Sequence, residues 1–267
     1  MKYPLRLLIV LSFFSCMETP VEVTIPAEKI LCVSGLLVNN HKQYIYLFRG
    51  RSAQDSLFND YKHNSQKIGI SNALLTLQDG DNTLIYREDS VFVGRYILDN
   101  WKPAGNQRYT IRIKHRDYPD IETSTLFPDT GDFNIRYAFN NAGDLELSWD
   151  TIYNSYGYAV YVNGWVFGFF GPEPVKKYYW RYWGGMHITP TERLTLSKNS
   201  LLNMHKIVDL KIIISALDKN YYNWRRYINR YNPLDFHFID YGNYSTIDNA
   251  VGYIGSAYSD SIIIRRH

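Results

Sequence analysis

The sequence predicts a mainly β protein: two β-sandwich domains with one packing helix near the C-terminus. Three observations carry this reading. From Ile30 onward, short runs of alternating apolar and polar residues recur between turn residues, at the roughly 8–12-residue spacing of sandwich strands. Aromatic residues make up 16% of the 267 residues, with 24 Tyr against 4 Met, a composition that favours sheet over helix. One stretch alone, from Leu217 to Tyr231, has helical spacing.

The first sixteen residues, MKYPLRLLIVLSFFSC, address the chain to a membrane. Lys2 and Arg6 form a short positive region, and Leu7 to Phe14 form an apolar run broken by Ser12. That run is far below the roughly 20 residues needed to span a bilayer, so it suits a cleaved secretory signal. It ends in Ser15-Cys16, a small residue before a cysteine, which resembles a bacterial lipobox with Cys16 as the lipidated N-terminus. Residues 1–15 are thus expected to be a signal peptide, and 16–29, rich in Pro, Glu and Thr, a tether. Acyl chains on Cys16 would suffice for stable anchoring, at about 0.8 kcal/mol for each buried methylene. Losing Lys2 and Arg6 would take the formal charge from +3 to +1, too little for a nucleic-acid binder. Glu18 and Glu22 faintly resemble an acidic surface-export signal.

Residues 30–127 read as the first sandwich. Its expected strands are 30–38, 44–48, 73–77, 83–86, 91–97, 109–114 and 121–126. Asp79-Gly80-Asp81-Asn82, Pro103-Ala104-Gly105-Asn106 and Asp117-Tyr118-Pro119-Asp120 supply turn chemistry, and Asp79-Gly80 is a hairpin signal. The polar stretch from Gly50 to Gly69 is the exception, a long loop. Phe127-Pro128-Asp129-Thr130-Gly131-Asp132 marks the boundary to a second β domain, 133–267. Its expected strands are 133–139, 145–149, 156–162, 194–196, 208–216, 250–254 and 261–264. A strand ending in Trp149-Asp150, then a polar linker and the tyrosine-rich Tyr156–Val162, resembles a fibronectin type III domain. There Trp149 would pack in the core, and Tyr158 and Val160 would share a face.

The helix is expected over 218–231. Leu217, Tyr221, Trp224, Ile228 and Tyr231 form one apolar stripe. Asp218 can cap its start, Pro233 ends the segment, and Arg225, Arg226 and Arg230 complement the C-terminal end of the dipole.

Catalytic and metal motifs do not emerge. The seven histidines fall in no metal-ligand spacing, and no nucleophile elbow, phosphate loop or dinucleotide fingerprint occurs. Cys32, inside an apolar run, reads as a buried small hydrophobe rather than a nucleophile. Carboxylates such as Glu146, Asp150, Glu173 and Asp240 are present, but sequence does not show whether any two face each other. The reading is non-enzymatic, with no cofactor and no metal. Tyr156 to Trp183 holds twelve aromatics in 28 residues with interspersed Gly and Pro. Trp165, Tyr179, Trp180 and Trp183, near turns or adjacent in sequence, are the candidates for an exposed platform for a glycan or partner protein; the competing reading is strand core.

Several motifs recur in a known order. They are the lipobox cysteine, LCVSGLL at 31–37, RGRS at 49–52, ISNALLTL at 70–77, Gly94-Arg95-Tyr96, Gly105 ahead of YTIRI at 109–113, Tyr221-Tyr222, Pro233, and NAVGYIGS at 249–256. Together they resemble the Bacteroidota outer-membrane lipoprotein family catalogued as domain of unknown function 4249. The resemblance implies an outer-membrane address and a neighbouring TonB-dependent transporter, and no activity. The expectation is a lipid-anchored accessory or binding partner of such a transporter. The alternative is a glycan-binding surface lipoprotein using the 156–183 aromatics.

Overall fold

A computed structural model describes residues 30–50, 68–170, 175–182, 186–197, 207–230 and 245–265. Among them are fifteen strands and one helix. The first strands are β1 (Leu31–Val38), β2 (Lys42–Arg49), β3 (Leu74–Asp79), β4 (Asn82–Glu88), β5 (Arg95–Asp99), β6 (Arg108–His115) and β7 (Tyr118–Leu126). Then come β8 (Arg136–Phe139), β9 (Leu145–Ser148), β10 (Gly157–Phe170), β11 (Val175–Tyr182), β12 (His187–Thr189) and β13 (Arg193–Leu196). β14 (Ile207–Leu217), helix α1 (Lys219–Arg230) and β15 (Val251–Arg265) complete the described elements. The protein is mainly β, as the alternating pattern predicts.

Period-two burial builds the first core. Leu31, Val33 and Leu37 of β1 and Ile45 and Leu47 of β2 point inward. They meet Leu75, Leu77, Tyr109, Ile111, Ile113 and Ile121 of the facing layer. β4 joins the layers, pairing along most of its length with β3 and through Arg87 and Glu88 with β5. The expected hairpin at Asp79 is present: Asp79 pairs with Asn82 across a two-residue loop. Gly80 takes φ 58°, the positive value demanded at the first central position of a type II′ turn.

A second core lies between the small sheet β13-β9-β8 and the layer of β10, β14 and the far half of β15. Trp149 is buried there, edge-on to Tyr158 at 5.3 Å, and Tyr158 and Val160 share the inward face, as expected. The Tyr158 hydroxyl accepts from the Ile152 N–H (3.0 Å) and the Ser155 hydroxyl (3.1 Å).

The cores are two, but the large sheet is one. It runs β11-β10-β14-β15-β1-β2-β5-β4-β3-β6-β7 through the layers of both sandwiches. β15 makes the join: residues 251–257 pair in parallel with β1, and residues 257–265 pair antiparallel with β14. It gives Ile254 to the first core and Ile264 to the second. The boundary expected at 128–132 lies between β7 and β8, yet the C-terminal strand crosses back over it.

Local departures from the expected strands have local causes. The run 91–97 begins its strand only at Arg95, because the Asp89 carboxylate accepts from the Val91 N–H (2.8 Å) and Arg95 N–H donates to Phe92 C=O (3.1 Å), closing a turn. The expected turn 117–120 shrinks to Arg116-Asp117, with Pro119 already in β7. β7 is an edge strand, where a missing N–H is tolerated. Likewise 133–139 is strand only from Arg136.

Candidate functional site

Strand register fixes where the candidate surfaces lie. β15 rises from Val251, beside the start of β1, to Arg265, a length of about 50 Å. β14 runs back alongside it, and β10 runs up alongside β14. The far ends of β10 and β11 therefore lie at the end of the protein opposite Ile30, where the described chain begins. Among the described residues, pairing of β10 with β14 stops at Val166–Ile207, whereas pairing with β11 continues for four more positions to Phe170–Val175. β10 and β11 thus pair as an antiparallel ribbon that reaches this end of the sheet.

This ribbon carries most of the expected platform. Trp165 is the register partner of Trp180, and Tyr179 that of Val166. Phe167 is the register partner of Tyr178, two positions beyond Trp165 and Trp180. The side chains of Trp165, Tyr179 and Trp180 lie outside the described residues, as do Trp183 and Cys16 as a whole.

A second aromatic surface, not singled out in the sequence, covers the outer face of the large sheet. Residues of β1, β2 and β15 that do not enter the first core must face outward. On β2 these are Tyr44, Tyr46 and Phe48, with ring centroids 6.5 and 6.1 Å apart. On β1 they are Cys32, Ser34 and Leu36, all partly exposed, as is Tyr253 on β15. Ser34 is the register partner of Tyr46 on one side and Tyr253 on the other, and Tyr46 pairs with Arg95 of β5. A row of Tyr253, Ser34, Tyr46 and Arg95 therefore crosses four strands. The Ser34 and Tyr253 hydroxyls are hydrogen-bonded, and Arg95 bonds the Tyr46 hydroxyl and the Asp89 carboxylate. Burial pushes the Cys32 thiol above its ordinary range, which suits a packed side chain and not a nucleophile.

Helix α1 borders this face. As the sequence predicts, Asp218 caps it, accepting from the Tyr221 N–H at 2.9 Å. Gly255 of β15 lets the helix sit close: a Cβ there would come within 2.7 Å of Tyr221 Cβ and 2.9 Å of its backbone nitrogen. Trp224 stacks on Tyr253 at 4.9 Å, with Tyr221 at 5.4 Å from the same ring. Arg225 Nε donates to the Tyr221 hydroxyl at 2.7 Å, and burial pushes that phenol up to about 12. No carboxylate lies within ion-pair distance of Arg225 among the described residues.

Of the carboxylates named from the sequence, the two described, Asp150 and Glu146, have separate partners. Asp150 is held by Asn134 and Arg136, which keep it below the usual carboxylate range, while Glu146 accepts from Asn140. Glu173 and Asp240 lie outside the described residues. Among those described, no cluster of three or more His, Cys, Asp or Glu could hold a metal, and no helix is long and apolar enough to cross a membrane.

Fold and surfaces together define a mainly β, sandwich-layered scaffold with aromatic faces. The chain belongs to the family described as Domain of unknown function (DUF4249), whose model matches residues 18–263. No curated protein matches it significantly. Among solved structures it is similar to the FN1–FN3 domains of chicken CNTN1, at 12% identity and a TM-score of 0.32, covering 90% of this chain and 67% of that one. A two-domain fibronectin type III segment of chicken tenascin gives 12% and 0.27, covering 89% and 98%. A cytokine receptor complex gives 11% and 0.28, covering 87% and 95%. These scores are low, and the sandwich description stands on the strand order and cores above.

Proposed function

We propose that the protein is a non-enzymatic, lipid-anchored component of the cell outer membrane, tethered through Cys16, that serves a TonB-dependent transporter as an accessory or binding partner. The observation that best supports this reading is the polarity of the fold. The described chain begins at Ile30 at one end, and the paired far ends of β10 and β11 lie at the other. An anchor ahead of Ile30 would hold the ribbon away from the bilayer, where a partner can meet it. Aromatic-rich edges of this kind supply large contact area at low entropic cost. Affinity purification of the tagged protein from its native membrane tests the reading. Recovery of a TonB-dependent receptor, lost with Cys16→Ser, is the expected result; a clean purification without any transporter counts against it.

The register pairing of Trp165 with Trp180 favours a second reading, a glycan-binding surface lipoprotein. In that case Trp180→Ala or Trp183→Ala lowers retention on polysaccharide affinity gels without unfolding the protein.

A further inference from the structure

The turns at the two ends of the first sandwich differ in kind. At one end lie Asn39-Asn40-His41, between β1 and β2, and the Asp79–Asn82 hairpin, all polar residues and glycine. At the other lies the loop 89–94 between β4 and β5, with Val91-Phe92 at its tip. Pairing places this loop at the Ile30 end: Leu31 opens β1 opposite Arg49, Tyr46 is opposite Arg95, and the Leu47 N–H donates to the Gly94 carbonyl at 2.8 Å.

The polar groups of the loop hold its shape. The Asp89 carboxylate accepts from the Val91 N–H (2.8 Å) and from Arg95 Nε (2.6 Å). The Asp89 N–H donates to the Arg95 carbonyl (2.7 Å), and the Arg95 N–H to the Phe92 carbonyl (3.1 Å). Gly94, at φ 78°, turns the chain against Gly69, whose Cα a Cβ there would meet at 2.8 Å. The Arg95 guanidinium lies 3.9 Å over the Phe92 ring. What this bonded turn presents outward is apolar: Val91 is 68% exposed and Phe92 45%, with Ile30 at 44% at the same end. Single exposed hydrophobes are ordinary, whereas two adjacent ones on the tip of a fixed turn make a contact surface.

Connectivity and charge select the occupant. Fourteen residue steps (30 − 16) separate Ile30 from Cys16, a reach of at most about 50 Å. A lipid on Cys16 therefore concentrates this end of the sandwich at a bilayer. Charges on the neighbouring β6 and β7 are balanced, Lys114 with Asp120 and Arg116 with Asp117, so the contact needs no anionic lipid. Apolar side chains on a polar body suit the boundary between headgroups and acyl chains.

We infer that the loop 89–94 is a membrane-docking loop, seating Val91 and Phe92 at the headgroup–acyl boundary of the bilayer that holds the anchor. The inference rests on the anchored reading above and deepens it. A lipidated residue alone leaves the protein free to pivot, and a second contact at this end directs the far ends of β10 and β11 away from the surface.

A synthetic tether tests it whether or not the cell lipidates Cys16. The chain from Cys16 onward, with Cys32→Ala leaving one thiol, is coupled to maleimide-bearing phosphatidylethanolamine in phosphatidylcholine vesicles. Phe92→Trp then reports depth: with lipids brominated on their acyl chains, the added emission should fall by at least about half. Asp81→Trp, at the opposite end, should lose none. Amide exchange over 89–94 should slow about tenfold on the vesicles, and high salt should not reverse it. Val91→Asp combined with Phe92→Asp should abolish that slowing, with thermal unfolding unchanged because both side chains are exposed. An unquenched Phe92→Trp, equal quenching of Asp81→Trp, or exchange protection that survives the double substitution overturns the assignment. So does a vesicle-free dimer, seen by light scattering, that the double substitution dissolves, since a second copy is then the occupant. Absence of fatty-acid labelling of Cys16 in cells overturns the anchored reading, and the vesicle measurements separate that failure from failure of the loop.

Discussion

Asp218 and Ser256 hold each other by their main chains and by one carboxylate oxygen. The Asp218 N–H donates to the Ser256 carbonyl at 3.0 Å, and the Ser256 N–H donates to Asp218 Oδ1 at 3.0 Å. The other oxygen, Oδ2, accepts from the Thr125 hydroxyl of β7 at 2.7 Å. Ser256 in turn donates its hydroxyl to the Leu126 carbonyl. This knot ties the last strand of the first sandwich to the start of α1 and to the middle of β15, where the two cores adjoin.

Asp218→Ala should therefore cost more than an ordinary cap, for which about 1 kcal/mol is typical. It strands the Ser256 N–H and Thr125 hydroxyl as well, so a loss of about 3 kcal/mol is expected in urea unfolding. Asp218→Asn, which keeps an acceptor oxygen, should cost less than half of that.

The same residue sets a pH dependence. Burial pushes the Asp218 carboxyl above its usual range, against the lowering pull of the Ser256 and Tyr221 N–H groups and the Thr125 hydroxyl. Because the folded value exceeds the unfolded one, near 3.9, the folded state holds this proton more tightly. The stability of the wild type relative to Asp218→Asn should rise as pH falls through the raised folded value, and level off below about 3.9. Paired denaturant titrations across that window measure it; a constant difference would refute the assignment to Asp218.

Gly255→Ala should loosen α1 from the sheet. The new methyl meets Tyr221 Cβ at 2.7 Å, Asp218 Oδ1 at 2.8 Å and the Tyr221 backbone nitrogen at 2.9 Å, none of them the free end of a flexible chain. A loss of about 1–3 kcal/mol is expected, with amide exchange accelerating first in 219–227.

Gln43 should resist replacement although it is polar and fully buried. Its Oε1 accepts from the Val38 N–H at 2.8 Å, and its Nε2 donates to the carbonyls of Val38 (3.0 Å) and Asn40 (2.7 Å). Gln43→Leu leaves those three main-chain groups without it and should lower stability by about 2–4 kcal/mol, read as a shift in the urea midpoint at unchanged slope.

Much of this architecture was legible because a half-buried strand writes its period into the sequence. Leu31-Val33-Leu37, Ile45-Leu47 and Leu75-Leu77 alternate as their burial does, and Asp218 announces the helix. The join between the sandwiches was not legible. Gly255-Ser256-Ala257-Tyr258-Ser259-Asp260 reads as a small, polar gap between two short strands, yet it is the middle of β15. Small residues are required there because α1 lies against Gly255 and Ala257, while Ser256 bonds β7 and Ser259 meets the Asn39 amide. The Tyr253–Ser34–Tyr46 row was equally hidden, since β15, far along the chain, meets the β1–β2 hairpin only through strand pairing. The ribbon shows the reverse case: its aromatics are evident in the sequence, and the pairing of β10 with β11 adds which of them stand opposite one another.

The single strand shared by both sandwiches also decides how the protein carries mechanical load. A pull between Ile30 and the distal ribbon drags β1 and β15 along their own length in opposite directions. The seven register pairs between them are then strained together in shear rather than peeled apart one by one. A scaffold strung in this way transmits tension through its sheet and is strongest along the axis joining its entry point to its far tip.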